Sequence, residues 1–126
     1  MTLSCSVRNC GLPLIRREQG FVCPSGHSFD LARSGYINLL QPQDRRSPAA
    51  GDSKLAVHAR AALERSGVGL AIIETVITEA LGLGLRKNAV AVDLGSGTGE
   101  MLGQLSARHS VTAIGIDLSA AGAGVR

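Results

Sequence analysis

The sequence predicts an α/β protein: a small metal-stapled module followed by the first two strands of an open parallel sheet. Three observations support this prediction. All three cysteines lie near the N-terminus, two helix-like segments follow, and a glycine-rich turn later joins a short apolar strand to a helix. A chain of 126 residues has room for one small module and part of a larger domain.

Charge is distributed unevenly along the chain. The formal net charge is +3, and residues 1–65 hold nine Lys or Arg against five Asp or Glu, whereas residues 66–126 hold four against five. The first half is therefore better suited to a polyanion, although such a surplus is also ordinary protein surface. We find no run of about 18 apolar residues and no basic-then-apolar leader, so we expect a cytoplasmic protein without a membrane segment.

Potential metal ligands follow the pattern C-x4-C-x12-C-x3-H, formed by Cys5, Cys10, Cys23 and His27. Two such pairs suit a closed tetrahedral zinc site, which stabilises a segment too short to bury a core of its own. The first pair is widely spaced, so its loop must bulge. Three scattered buried thiols and a surface histidine are the alternative, but this does not explain why every cysteine lies here. A disulfide is disfavoured in a cytoplasmic protein.

The segment between the two ligand pairs predicts a small hairpin. Residues 12–15 and 20–22 fit short strands, and residues 16–19 fit the turn that joins them. Arg16 and Arg17 would then lie at the tip, where they contact phosphate or are simply solvated. The sequence therefore predicts a zinc-ribbon-like module over residues 1–41.

Residues 42–84 predict a helical connecting segment. Asp52 or Ser53 is the expected N-cap of a first helix, whose apolar face would consist of Leu55, Ala59, Ala62 and Leu63. Gly67 and Gly69 interrupt the pattern. A second helix then repeats apolar residues at the helical period up to Gly82 and Gly84, which predicts a buried face formed by Ile72, Ile73, Val76, Ile77, Ala80 and Leu81. Basic side chains in this segment contact phosphate or only aid solubility: Arg45, Arg46 and Lys54.

Residues 90–100 predict a nucleoside-binding turn. A Val- and Ala-rich run that closes on Asp93 predicts a buried strand, and the alternating glycines after it predict a tight turn into a helix. Glycine permits positive φ and the close approach of a ligand, while the helix presents unpaired N–H groups. A second strand ends at Asp117, where a ribose-binding carboxylate is expected. This is a cofactor site of Rossmann type.

Two nucleoside cofactors fit that description. The dinucleotide fingerprint is G-x-G-x-x-G, but here the glycines alternate and Asp93 stands two residues before the first of them. This arrangement resembles motif I of the class I S-adenosylmethionine-dependent methyltransferases. The resemblance implies that Asp93 orients the loop and that Asp117 binds the ribose. It implies further that the cofactor lies against Gly95, Ser96, Gly97, Thr98, Gly99 and Glu100. The alternative is a glycine-rich turn that binds something else or nothing.

A second resemblance covers residues 23–40, C-P-x-G-H-S-F-D-x-A-R-x-G-Y-x-N-L-L, directly behind a zinc pair. This run is similar to the N-terminal module of the RlmA-type large-subunit rRNA guanine-N1 methyltransferases. The likeness continues through Gly51-Asp52-Ser53, Ala59-Arg60-Ala61 and Ser66-Gly67 in the family's order. It implies zinc and S-adenosylmethionine as cofactors, a large-subunit rRNA hairpin as partner, and methyl transfer to guanine N1.

Three departures from the family pattern qualify these expectations. The first cysteine pair is C-x4-C rather than the commoner C-x2-C, and Val68 and Gly69 stand where the family often has His-Tyr. The chain ends at Arg126 with two predicted strands, whereas the family's sheet has about seven, and residues 120–125 are a weak helix start. We therefore expect an N-terminal fragment, inactive alone. Its predicted parts are residues 1–41, 42–84 and 85–126, the last being a truncated methyltransferase domain.

Two other functions remain open at this stage. One is a stand-alone zinc-ribbon module that binds RNA, and the other is a small-molecule methyltransferase with an accessory zinc knuckle. No residue can be assigned as the group that accepts the N1 proton. The oligomeric state is not predicted.

Overall fold

The protein is described here by a computed structural model, which covers residues 2–44 and 51–119. The chain forms two compact units, Met1–Ala50 and Gly51–Arg126. The basic pair Arg45 and Arg46 and the weak helix start at 120–125 lie outside the described residues. The elements in chain order are β1 (Ile15–Arg17), β2 (Gly20–Val22), β3 (Ser28–Asp30), a 3-10 turn (Pro42–Asp44), α1 (Lys54–Arg65), α2 (Leu70–Gly82), β4 (Val90–Leu94), α3 (Glu100–Arg108) and β5 (Thr112–Ile116).

The N-terminal unit contains a three-stranded antiparallel sheet in the order β1-β2-β3. Phe21 in the central strand pairs with Arg16 on one side and Phe29 on the other. Gly20 opposes Asp30, and a Cβ at this glycine would collide with the Phe29 carbonyl oxygen, so only glycine allows the strands to approach. The predicted strand over residues 20–22 is confirmed.

The prediction for the first strand of the hairpin was wrong. β1 begins three residues later than expected, so Arg16 and Arg17 belong to the strand and only Glu18 and Gln19 form the turn. The guanidinium of Arg16 lies 5.1 Å from the centroid of the Phe21 ring, a cation–π contact that anchors this residue in the strand. β3, which follows directly after His27, was not predicted.

The core of the N-terminal unit is small and includes two of the predicted metal ligands. Cys5, Leu14, Cys23 and Phe29 are buried, and partly buried side chains pack around them: Leu3, Val7, Cys10, Phe21, Ile37 and Leu39. Four buried residues are too few to stabilise a unit of this size by apolar burial alone. Another source of stability is therefore needed in this unit.

The helices of the C-terminal unit begin and end where the sequence predicted. Ser53 caps α1, since its hydroxyl accepts a 3.2 Å hydrogen bond from the Ala56 N–H. Between α1 and α2 the backbone adopts positive φ at Gly67 (86°) and Gly69 (93°), which breaks the helical path. α2 ends at Gly82. Within the described residues, no helix is both long and apolar enough to cross a membrane.

The predicted apolar faces of the two helices need correction. In α1 the buried residues are Val57 and Ala61, whereas Leu55 and Leu63 are exposed. The other half of the predicted face, Ala59 and Ala62, is also exposed. The buried face is therefore offset from the most apolar stripe. The polar residues Arg60 and Glu64 of α1 contact the glycine-rich loop.

In α2 only part of the predicted face is covered. Ile77 is buried and Ile73 and Ala80 are half-buried, but the remaining members are exposed: Ile72, Val76 and Leu81. The helical period was correct; the extent of burial was not. The packing partners present within the described residues cover only one side of the helix.

β4 and β5 form a parallel pair connected through α3, with a register that runs from Val90↔Thr112 to Leu94↔Ile116. α3 packs on this pair through Leu102 and Leu105, which are buried. The prediction that the first strand is buried was wrong for one face. Val90, Val92 and Leu94 are 48%, 51% and 76% exposed, because α3 covers only the opposite face among the described residues.

Candidate metal centre and cofactor loop

The four predicted metal ligands lie together in the N-terminal unit. One ligand atom each from Cys5, Cys10, Cys23 and His27 fits in a cluster whose atoms are all within 4.8 Å of one another. Cys10 Sγ and Cys23 Sγ are 3.8 Å apart. His27 Nδ1 lies 3.5 Å from Cys5 Sγ and 3.4 Å from Cys23 Sγ. Each pair of ligands in the sequence therefore contributes to one site.

These separations match a tetrahedral zinc site. With Zn–S bonds of about 2.3 Å and Zn–N bonds of about 2.05 Å, the edges of a tetrahedron are about 3.8 Å between sulfurs and about 3.6 Å between sulfur and nitrogen. The separations between Cys10 and Cys23, between Cys5 and His27, and between Cys23 and His27 are close to these values. A disulfide does not explain it, because bonded sulfurs lie about 2.05 Å apart and all three cysteines are free. The donor set, three thiols and one imidazole, is typical of structural zinc.

Backbone hydrogen bonds explain how the widely spaced Cys5 and Cys10 both reach the ligand cluster. The Cys5 N–H donates to the Leu12 carbonyl and the Cys10 N–H donates to the Val7 carbonyl, so the loop is fastened at both ends. Asn9 and Gly11 take up the extra length in left-handed conformations, with φ of 64° and 61°.

The second ligand pair uses a tighter turn. The Cys23 N–H donates a 3.0 Å hydrogen bond to the His27 carbonyl, and the Gly26 N–H donates a 2.9 Å hydrogen bond to the Cys23 carbonyl. Gly26 has φ of 82°, which a side chain would disfavour. The reversal brings Cys23 Sγ and His27 Nδ1 to one side of the turn, as the Pro and Gly between them suggested.

The two thiols of the first pair differ in acidity. Burial raises the pKa of the Cys5 thiol, whereas a hydrogen bond from the Leu12 backbone lowers the pKa of the Cys10 thiol. A bound cation favours the thiolate at both positions, because a coordinating thiol is deprotonated. The residues present therefore fit zinc in number, type, spacing and local hydrogen bonding.

The glycine-rich loop of the C-terminal unit follows β4. Gly95, Gly97 and Gly99 all have positive φ, at 83°, 53° and 78°. A Cβ at Gly95 or Gly99 would meet no atom within 4 Å, so one side of the loop is open. The Gly95 and Ser96 N–H groups donate to the Ile116 carbonyl, which fixes the loop to the end of β5. This is an open backbone cradle at the carboxyl ends of two parallel strands, where nucleosides bind in such sheets.

Asp117 directly follows β5, and its side chain also binds the glycine-rich loop. Its Oδ2 accepts a 2.8 Å hydrogen bond from the Gly97 N–H and its Oδ1 accepts a 2.7 Å hydrogen bond from the Ser119 N–H. Each carboxylate oxygen has a second lone pair, so both can still accept from a ligand hydroxyl. The sequence prediction placed Asp117 at this position but not its contact with the loop.

A second brace comes from α1. Thr98 Oγ1 lies 2.8 and 2.7 Å from the two carboxylate oxygens of Glu64, to which its hydroxyl donates. This contact joins residues 34 positions apart in the chain. One turn earlier on α1, the guanidinium of Arg60 lies against Gly97: a Cβ there would be 3.1 Å from Arg60 Nη1. The loop is thus held in place by hydrogen bonds to the end of β5 and to Glu64 of α1.

The other predicted loop residues have more modest roles in the structure. Ser96 packs on Gly115, where an added Cβ would approach Ser96 Oγ to 2.6 Å. Glu100 begins α3 and accepts a 2.9 Å hydrogen bond from Gln104. Asp93 is half-buried at the end of β4. Among residues 2–44 and 51–119, no hydrogen bond or ion pair of the Asp93 side chain is found, so its carboxylate is available to a ligand.

Sequence reasoning missed the residues of α1 and the polar contacts beside them. Glu64 and Arg60 are four positions apart and so share a helix face, which was the available signal. The loop residues that they contact, Thr98 and Gly97, lie more than 30 residues away, and no local pattern identifies them. The same is true of Ser119, whose buried hydroxyl donates to the Asp52 carbonyl at 3.0 Å.

Comparison with known families now identifies the N-terminal unit. Residues 4–48 match the family model described as RlmA, N-terminal, a zinc ribbon. The match contains all four clustered ligands. The N-terminal unit of this chain is therefore similar to the RlmA-type zinc ribbon. Zinc is therefore supported twice, by the family of the RlmA-type ribbon and by the geometry of its cysteines and histidine.

Curated relatives extend the likeness beyond the ribbon. The chain is 37% identical over 98 residues to the 23S rRNA (guanine(748)-N(1))-methyltransferase of Streptomyces fradiae, covering 77% of this chain and 34% of that protein. It is 44% identical over 62 residues to a putative 23S rRNA (guanine-N(1)-)-methyltransferase of Micromonospora griseorubida, covering 46% of this chain and 19% of that protein. The aligned part of this chain thus spans about a third and a fifth of their lengths.

Much of the conspicuous RlmA-type run at residues 23–40 serves to build the ribbon. Phe29 is buried in the core, and Ile37 and Leu39 pack against it. The Ala32 N–H donates to the Tyr36 carbonyl at 2.9 Å, and the turn between them places Gly35 at φ of 92°. The motif is therefore explained largely by folding around the metal ligands.

Proposed function

We propose that this chain carries the RNA-recognition ribbon and the first cofactor-binding segment of an S-adenosylmethionine-dependent methyltransferase acting on guanine N1 of large-subunit rRNA. One observation supports this best. The alignment with the Streptomyces enzyme covers 98 residues, which is longer than either compact unit, so it includes parts of both the ribbon and the unit with the glycine-rich loop. A protein that shared only a zinc ribbon would align over the first unit alone.

The C-terminal unit would hold S-adenosylmethionine at its glycine-rich loop. Asp93, residues 95–100 and Asp117 are the side chains and backbone that would bind it, and β4, α3 and β5 form the corresponding Rossmann-like segment. The open side at Gly95 and Gly99 and the uncommitted carboxylate of Asp93 support this assignment. When bound, the cofactor supplies an activated methyl group on a sulfonium. The role of these residues is to position it, since such transfer depends mainly on alignment.

The N-terminal unit would contact the RNA. Zinc at Cys5, Cys10, Cys23 and His27 fixes the fold, and exposed arginines lie on and near the sheet. Arg16 and Arg17 are exposed on β1, and the first of them stacks on Phe21. A guanidinium held on an aromatic ring can donate hydrogen bonds to a phosphate, and its free face can stack on an RNA base. We also propose a cytoplasmic location, because large-subunit rRNA would be the partner.

Cofactor binding is tested by titrating S-adenosylmethionine into the chain and a Gly97→Val variant, with isothermal calorimetry. Gly97 has positive φ and little room beside Arg60, so valine distorts the loop. We expect binding to the unmodified chain and at least about tenfold weaker binding to the variant. Gly103→Ala is the matched control, because that glycine lies in α3 with no neighbour within 4 Å of an added Cβ. Failure of the unmodified chain to bind contradicts the proposal.

RNA binding is tested with a hairpin from large-subunit rRNA, by fluorescence anisotropy over a series of salt concentrations. The double variant Arg16→Gln/Arg17→Gln is expected to bind more weakly, with the slope of log K against log salt reduced by about 1 to 2. Arg65→Gln, in the other unit, is the control and should leave the slope unchanged. An identical slope in the double variant and the unmodified chain would exclude β1 as the contact surface.

A further inference from the structure

The side chain of Arg60 occupies an unusual place for a surface arginine. It projects from α1 onto the glycine-rich loop, where its Nη1 would be 3.1 Å from a Cβ at Gly97. Its other terminal nitrogen, Nη2, forms a 2.7 Å ion pair with Asp52 Oδ2. The guanidinium is therefore held by one nitrogen and presents the other to the loop.

Solvent reaches this ion pair, so it is not itself a source of much stability. The side chains of Arg60 and Asp52 are 50% and 44% exposed, and exposed pairs contribute little. Asp52 is tied down on another side, since its backbone carbonyl accepts the Ser119 hydroxyl. The arrangement fixes the direction of the guanidinium more than it stabilises the fold.

The position of Asp117 relates this guanidinium to the shape of the cofactor, and the inference rests on the proposed function. Asp117 contacts the loop at the Gly97 N–H, and Arg60 stands beside that same glycine. If the ribose lies at Asp117, the chain that leaves the ribose 5′ carbon runs along the loop. In S-adenosylmethionine this chain ends in an α-amino acid, whose carboxylate is the only anionic group in the molecule.

We propose that Arg60 binds the carboxylate of the cofactor's amino-acid end, with Asp52 as the residue that positions it. A guanidinium is the side chain best suited to a carboxylate, because its planar donors match two oxygens. The site thereby distinguishes an adenosyl donor that carries an amino acid from a nucleoside that lacks one. Glu64 holds the loop through Thr98 on the same helix face, so α1 contributes to the pocket as a unit.

The test compares two ligands on three proteins by calorimetry. The ligands are S-adenosylmethionine and its decarboxylated form, which keeps the sulfonium, the amine and the adenosine but lacks the carboxylate. The proteins are the unmodified chain, Arg60→Gln, and the control Arg65→Gln, which replaces the arginine at the C-terminal end of the same helix. We expect Arg60→Gln to weaken binding of S-adenosylmethionine about 10- to 100-fold and binding of the decarboxylated ligand less than about twofold.

The outcomes separate this inference from the function on which it rests. Equal weakening of both ligands by Arg60→Gln overturns the carboxylate contact while leaving the cofactor site intact. No binding of either ligand to the unmodified chain contradicts the proposed function itself. Asp52→Asn provides a second variant: with Arg60 still charged but no longer held, it should weaken S-adenosylmethionine more than the decarboxylated ligand, by a smaller factor than Arg60→Gln. Equal thermal stability of the variants without ligand would exclude a purely structural effect.

Discussion

The two units of this protein reach stability by different routes. In the N-terminal unit, two of the four buried residues are predicted metal ligands, Cys5 and Cys23. Its framework closes within about 40 residues because zinc replaces the apolar core that so short a segment lacks. In the C-terminal unit the buried apolar residues lie along three helices, and large apolar side chains on α2 and β4 remain exposed. A metal completes a small fold locally, whereas a helix and sheet layer depends on what covers each face.

Removal of zinc should give the largest difference between the units. We expect elemental analysis to find one zinc ion per chain. Removal of zinc by a chelator should abolish the NMR chemical-shift dispersion of the amides of residues 2–44, because binding of structural zinc supplies about 10–16 kcal/mol of folding free energy. Cys23→Ser should behave like the chelated chain. Amide signals from α1 and α3 should persist in both cases. Ser28→Ala, at an exposed position on β3, is the control that should retain the metal.

Truncation of one buried aromatic should be the next largest effect. Phe29→Ala removes the largest buried side chain of the ribbon core and is expected to lower the free energy of unfolding of this unit by about 3–5 kcal/mol. The measurement is the rise in the zinc concentration that is needed to fold the unit. Leu55→Ala in α1 removes a comparably large apolar side chain that is 80% exposed. It should change the stability of its own unit by no more than about 0.5 kcal/mol. Similar losses for the two variants would mean that burial does not separate these positions.

The contact between α1 and the glycine-rich loop should give an intermediate effect in the C-terminal unit. Thr98→Val removes the hydroxyl that donates to Glu64 and is expected to cost about 1.5–3 kcal/mol by chemical denaturation, because the acceptor is charged. A double-mutant cycle with Glu64→Gln should give a coupling energy of about 0.5–3 kcal/mol. Additive effects of the two substitutions would show that this hydrogen bond does not hold the loop in solution.

The smallest effect should come from the ion pair between α2 and α3. Arg108 Nη1 lies 2.7 Å from Glu74, and its hydrogen bond holds the pKa of the Glu74 carboxyl below its ordinary value of about 4.3. This contribution is present above that ordinary pKa and is lost as pH falls through the lowered pKa. Glu74→Gln should therefore reduce the difference in Tm between pH 7 and pH 3. Unchanged acid sensitivity would show that other carboxylates dominate.

In both units, the features that the sequence predicted correctly are local patterns of residues. The four metal ligands, the glycine-rich loop and the strand ending at Asp117 were all recognised, because each is a short pattern of unusual residues at fixed spacing. The first strand of the hairpin was placed three residues too early, since Arg16 belongs to β1 and contacts a ring on the neighbouring strand. The buried face of α1 was misassigned, since Val57 and Ala61 are buried whereas Leu55 and Leu63 in its most apolar stripe are exposed.

The sequence by itself determined which chemical groups this protein has and in what order: soft ligands in two pairs, then a backbone able to adopt positive φ beside two carboxylates. Only the tertiary structure decided which distant groups meet. It placed Glu64 on Thr98, Arg60 beside Gly97 and Asp117 on the loop backbone. The physical reason is that ligand spacing and glycine conformation are local properties of the chain. A contact between residues 20 or more positions apart depends on how whole helices and strands pack.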